Sequence, residues 1–243
     1  MRPLTTDDHL DRLRAEGERL AQVAAATPLD AAVTGCPGWN VDALLRHIGD
    51  VHRWAATIVR DRIQERPHID SAGPDDRDGL LAWYGEGHAQ LLAALVASNA
   101  DEVFWTWAPA PNPQAFWARR QSHETAIHRL DVELAAGTPT PFPADAAADG
   151  IDELLTLVSR RGRVPDGRGR RLHIAPTDAQ PEWQVELGAE AMVVRLDEPG
   201  GDCSVRGPAS DLFALVMNRR DATGLEVVGD EDVIRAWRSS VRL

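Results

Sequence analysis

Within the stretch R-R-Q-S-H-E-T-A-I-H-R-L-D, residues 119–131, two histidines flank a glutamate. Imidazole nitrogens and a carboxylate are the donors that suit a divalent cation of the zinc class. The spacing sets what they can do together. The zinc-peptidase pattern H-E-x-x-H puts its histidines four apart. Here His123 and His128 are five apart, and the pair at four is Glu124 and His128. Residues four apart share one helix face, so Glu124 and His128 can hold one cation between them. Two donors make a weak site, and a third has to come from a facing helix, as in metal sites inside helix bundles. His47 and His52 are available in V-D-A-L-L-R-H-I-G-D-V-H-R-W, residues 41–54. They are five apart, roughly 140° around a helix, so spacing alone admits one or the other. The alternative reading of Glu124 and His128 is a surface or capping pair with no metal.

The elements that must position these residues are legible in the pattern. Helical spacing of Leu10, Leu13 and Leu20 predicts a helix over 6–26. Proline and glycine between Pro28 and Gly38 predict a loop, after which Asn40 caps a helix over 41–64. Pro67 to Pro74 forms a second loop, and a third helix is expected over 75–98. Pro109 to Pro113 is a rigid connection, and a fourth helix over 114–136 carries Glu124 and His128 and stops at Gly137. Four helices of this length predict a four-helix bundle. The proline-rich T-P-T-P-F-P marks a domain junction. Beyond it the pattern predicts a helix over 144–163, a turn-rich basic segment V-P-D-G-R-G-R-R, and strands in R-L-H-I-A-P, E-W-Q-V-E-L-G, A-M-V-V-R-L-D and C-S-V-R-G. A helix over 208–218, a strand in L-E-V-V-G-D, and a last helix capped by Asp230 complete the chain. The expected fold class is therefore α+β: a four-helix bundle over 1–138, then a smaller domain over 144–243.

Bulk properties narrow the function. The net charge is −12 over 243 residues, which disfavours nucleic acid or an anionic membrane as principal partner. No apolar run approaches the 18 or so residues of a membrane span, and the N-terminus lacks an apolar signal region, so a cytoplasmic protein is expected. Cys36 and Cys203 lie far apart, which argues against a disulfide framework. Neither has an adjacent base in sequence, and both read as packing residues. His9, His68, His88, His123 and His173 read as surface or ordinary core residues.

C-P-G-W-N-V-D-A-L-L-R-H-I-G-D-V-H-R-W (36–54), followed by H-E-T-A-I-H-R-L-D (123–131), resembles the mycothiol-dependent maleylpyruvate isomerase family of the DinB-like superfamily. V-R-G-P-A-S-D-L-F-A-L-V-M-N-R (205–219) and L-E-V-V-G-D (225–230) are similar to that family's C-terminal domain, whose fold is like that of sterol carrier proteins. The resemblance implies a DinB-like bundle with a divalent metal, usually zinc, held by His47, Glu124 and His128. It also implies a late arginine important for activity, here Arg219, with Arg220 the weaker match. Mycothiol is implied as the thiol cosubstrate and a small electrophile as its partner, in a monomer or homodimer.

Two histidines and a carboxylate leave a tetrahedral zinc one open position. A thiol bound there is deprotonated at neutral pH, and the thiolate is the nucleophile. In an isomerase it adds to an activated double bond, rotation follows, and elimination returns the trans isomer. In an S-transferase the adduct is the product. Arg219 suits a carboxylate of the electrophile, or alternatively a structural ion pair. Asp131, on the face of Glu124 and His128, either orients a histidine or pairs with Arg120 or Arg129. Two other classes are a zinc hydrolase, which needs a separate general base, and a non-catalytic small-ligand binder.

Overall fold

A computed structural model describes residues 3–68, 73–161 and 167–241. The basic segment at 164–171 and the loop before the third helix fall partly outside them. The chain forms two compact units, one over Leu4–Thr140 and one over Pro141–Leu243.

The first unit holds α1 (Thr6–Ala26), α2 (Val41–Arg60), α3 (Arg77–Ala97) and α4 (Pro113–Ala136). Each helix start has a side chain that satisfies an orphan backbone N–H. Thr5 and Asp8 form a reciprocal capping box at α1. Asn40, Asp76 and Asn112 accept from the amides of Ala43, Gly79 and Ala115, at 2.8–3.0 Å. Pro113 occupies the first turn of α4, where its missing N–H costs nothing. Gly137 ends α4 at φ 72°, a left-handed conformation that favours glycine. Helix α1 packs on α4 and α3, α2 packs on α3 and α4, and α3 touches α4 more lightly. Leu13, Leu20, Leu44, Ile48, Leu80, Leu91 and Trp117 fill the middle and are fully buried. Leu91 and its neighbours on α3 follow the 3.6-residue period that the sequence predicts.

Helix α2 is shorter than its pattern suggested. It ends at Arg60 because Arg62 adopts φ 49°. The chain then turns so that Ile63 O accepts from Trp105 N at 2.7 Å.

The second unit holds α5 (Ala144–Arg161), β1 (Arg170–Pro176), β2 (Trp183–Leu187), β3 (Met192–Leu196), β4 (Cys203–Gly207), α6 (Ala209–Val216), β5 (Glu226–Gly229) and α7 (Asp232–Ser240). The five strands lie in the order β3-β2-β1-β4-β5. β1 and β4 are parallel and every other neighbouring pair is antiparallel. Alternate residues Leu172, Ile174, Trp183, Val185, Leu187, Cys203 and Val205 are at most 3% exposed and form the core face. Helices α5 and α6 pack together and against the sheet, and α7 packs on β1. The sequence predicts Asp230 as the cap of the last helix, but the N-cap is Glu231; Asp230 stands one residue earlier, where its side chain accepts from Asp232 N at 2.9 Å. Among the described residues no helix is long and apolar enough to cross a membrane.

Candidate metal centre

Helix α4 presents different faces to its two neighbours, and the face toward α2 carries Glu124 and His128. Their i, i+4 spacing brings His128 Nε2 to 3.5 Å from Glu124 Oε1. His47 Nε2 approaches the same oxygen from α2, also at 3.5 Å. The three donor atoms all lie within 4.8 Å of one another. These separations are too long for charge-assisted hydrogen bonds, which fall at about 2.7–2.9 Å. They match instead the edge of a tetrahedron: ligands about 2.0–2.1 Å from a zinc ion stand roughly 3.3–3.4 Å apart. The donor chemistry and the spacing therefore both fit a divalent cation of the zinc class. Side-chain exposure falls from 36% at His47 through 21% at Glu124 to 7% at His128, so the group opens to solvent from the His47 side.

Neighbouring side chains fix these donors. His128 Nδ1 lies 3.0 Å from Asp131 Oδ2, and Asp131 is fully buried. A carboxylate only accepts, so Nδ1 carries a proton toward Asp131, and Nε2 is the ring nitrogen turned to the site. Trp39, in the loop before α2, stacks parallel to the His128 ring and tilts against the His47 ring at 4.9 Å. Arg120 pairs with Glu124 Oε2, leaving Oε1 turned to the histidines. Burial by itself raises the Glu124 carboxyl, but Arg120 and the two histidines outweigh it and hold it well below the usual carboxylate range. For His128, burial lowers the imidazole, and Asp131, Cys36 and Glu124 together raise it well above the ordinary value.

Spacing alone could not choose between His47 and His52, and the family resemblance implied His47. His52 is wholly buried, and its Nε2 lies 2.9 Å from Thr125 Oγ1. Burial and the nearby His88 push its pKa well down, so it stays neutral. His123 is buried edge-to-face against His9 and is not among these three donors. Asp131, for which orienting a histidine and pairing with an arginine were both open, makes the histidine contact. Cys36 is the residue that sequence reasoning undervalued. It is half-buried, and its Sγ donates to Asp131 Oδ2 at 3.6 Å. Only the return of the 28–40 loop across the bundle brings it there, and no local spacing signals that. Arg219 belongs to the other unit. Its Nη1 donates to Met217 O at 2.8 Å, just past the end of α6. Arg220 pairs with Asp211.

Comparisons with known proteins bear on the same elements. Residues 10–133 match the model of the mycothiol maleylpyruvate isomerase N-terminal domain. Residues 145–236 match the model of that family's C-terminal domain. The fold is similar to the crystal structure of the mycothiol-dependent maleylpyruvate isomerase, with a TM-score of 0.66 and 14% identity over 93% of this chain and 95% of that one. A histidine-to-alanine mutant of that enzyme gives the same values. A glutamate–tRNA ligase of Azorhizobium caulinodans is 33% identical over 100 residues, 40% of this chain. This chain spans 21% of that protein's length, and the match carries no activity across. The two family models lie end to end along most of the sequence, and the chain belongs to the mycothiol maleylpyruvate isomerase family.

Proposed function

We propose that the protein is a metal-dependent enzyme that uses mycothiol as thiol cosubstrate and isomerises a small, maleylpyruvate-like electrophile. The observation that carries this reading is the convergence of His47 Nε2, Glu124 Oε1 and His128 Nε2 at coordination spacing on the solvent side of the bundle. These residues hold the divalent cation, most simply zinc. When bound, the cation supplies an electropositive open position at which a thiol is deprotonated near neutral pH. Asp131 keeps His128 in the tautomer that donates Nε2. Trp39 covers the ring faces of His47 and His128, limiting their rotation and the access of water from that side. Arg120 neutralises part of the Glu124 charge, so that the three donors together carry less than one full negative charge. Arg219 is proposed as the guanidinium that binds a carboxylate of the electrophile. Family membership favours isomerisation over S-transfer, since the family is named for a reaction that returns its thiol.

The experiment is a paired measurement on purified protein. Elemental analysis is expected to find about one divalent ion per chain. Incubation with mycothiol and maleylpyruvate is expected to yield the trans isomer with no net loss of thiol. Stoichiometric loss of thiol would assign S-transfer. A folded protein that takes up no zinc would overturn the metal centre.

A further inference from the structure

The sheet of the second unit carries a chemical constellation of its own. Gln184, His173 and Ser204 are register partners across β2, β1 and β4. Side chains alternate along a strand, so these three point away from the core face of Leu172, Ile174, Val185, Cys203 and Val205. His173 is nearly buried, and each of its ring nitrogens has a partner. Nδ1 lies 2.7 Å from Ser204 Oγ, and Nε2 lies 2.9 Å from Glu182 Oε2. The Glu182 carboxylate can only accept, so the ring proton sits on Nε2. Nδ1 is then a lone pair, and the Ser204 hydroxyl donates to it. Nucleophile, base and orienting carboxylate thus stand in the order that acyl transfer requires. The two ring nitrogens are exchanged relative to the serine-protease arrangement. Ser204 is half-buried and Glu182 is 29% exposed, so a ligand can reach the hydroxyl. Arg206, two residues further along β4 and on the same face, is exposed. Its charge suits a negatively charged acyl group.

We propose that Ser204, His173 and Glu182 form a second chemical site, independent of the metal centre, in which Ser204 accepts an acyl group from small esters or thioesters, preferably with an anionic acyl chain. His173 Nδ1 takes the Ser204 proton as Oγ bonds to the carbonyl carbon. The bond from that carbon to the leaving oxygen or sulfur breaks, and the leaving group takes the proton back from His173. Water then attacks the acyl-serine with the same base, releasing the acid and restoring the hydroxyl. Glu182 is a positioning residue that holds the ring tautomer.

The test uses the full chain with a chelator present, so that hydrolysis at a metal centre is silent. A fluorophosphonate probe is expected to add once, at Ser204, as read by intact mass and peptide mapping. p-Nitrophenyl acetate is expected to give a burst of about one nitrophenolate per chain, and p-nitrophenyl hemisuccinate a faster one. Ser204→Ala should abolish adduct and burst while circular dichroism stays unchanged. Glu182→Gln lets an amide donate to Nε2, turns an N–H toward Ser204, and should slow labelling about a hundredfold. Glu182→Asp, which keeps the carboxylate, should recover part of that loss, which a purely structural role would not predict. Absence of any adduct at Ser204 in the folded wild type, or an undiminished burst in Ser204→Ala, would overturn the proposal.

Discussion

Two of the carboxylates on helix α4, Glu124 and Glu133, each stand four residues from a basic side chain, and their fates differ. Glu133 faces α1 and is saturated. Arg19 donates to it at 2.9 Å, Arg129 at 2.7 Å, and Thr140 through both N and Oγ1 at 2.8–3.0 Å. Glu124 faces α2 and is held on one oxygen by Arg120, while the other meets two imidazole nitrogens at 3.5 Å. The first arrangement is complete as it stands, because every lone pair has a donor at hydrogen-bond distance. The second has two imidazole nitrogens converging on one carboxylate oxygen at 3.5 Å, beyond the distance of a charge-assisted hydrogen bond. A buried carboxylate with shifted acidity therefore signals chemistry only when its partners stand off from it.

The contrast can be broken from either side. Glu133→Gln is expected to cost about 3–5 kcal/mol, because Arg129 is left buried with half its partners; urea unfolding measures it. The same carboxylate sets an acid limb. Burial alone would raise Glu133, but hydrogen bonds from Arg19 and Thr140 and the charge of Arg129 hold it below its ordinary value. Its folded pKa is thus lower than its unfolded one. Its contribution is full above the unfolded value of about 4.3 and is lost as pH falls through the folded one. Stability of the wild type should fall more steeply in that acid range than stability of Glu133→Gln.

On the other side, Glu124→Gln or His128→Ala is expected to weaken zinc binding a few hundredfold, in line with losing one of three ligands from a site worth roughly 10 kcal/mol. Competition against a chromogenic chelator reads it. Unchanged affinity in both variants would place the metal elsewhere. Asp131→Asn should weaken zinc about tenfold to a hundredfold with the three donors intact. The smallest effect belongs to His52, whose Nδ1 is buried without a partner. His52→Leu is expected to leave zinc affinity within about threefold. It should change stability by only about 1 kcal/mol, since an unsatisfied polar atom leaves together with the Thr125 contact. A large loss of zinc binding in this variant would make His52 part of the centre.

Much of the helical unit was readable one residue at a time. Asn40 and Gly137 mark their helix ends through backbone needs that lie within a few residues of each other. The Glu124 and His128 pair was readable for the same reason, since one turn of helix fixes their relation. The end of α2 was not, because Arg62 turns the chain out of the helix so that Ile63 O can meet Trp105 N, some forty residues away. The C-terminal strands were readable from their alternation, whereas their order in the sheet was not. His173, Ser204 and Glu182 therefore passed as ordinary residues until β1 and β4 were paired.

The sequence by itself determined the element types, the caps at Asn40 and Gly137, the two-donor face of α4 and the family, because each rests on short periodicities or on a run of residues in order. Only the tertiary structure decided that His47, the histidine the family resemblance implied, stands beside Glu124 while His52 turns to Thr125, that Asp131 contacts His128, and that Cys36 lies against Asp131. His128 and Asp131 share one turn of α4, whereas the contacts of His47 and Cys36 join residues on separate helices and loops. Their distances follow from how side chains fill the space between neighbouring helices, which no periodicity encodes.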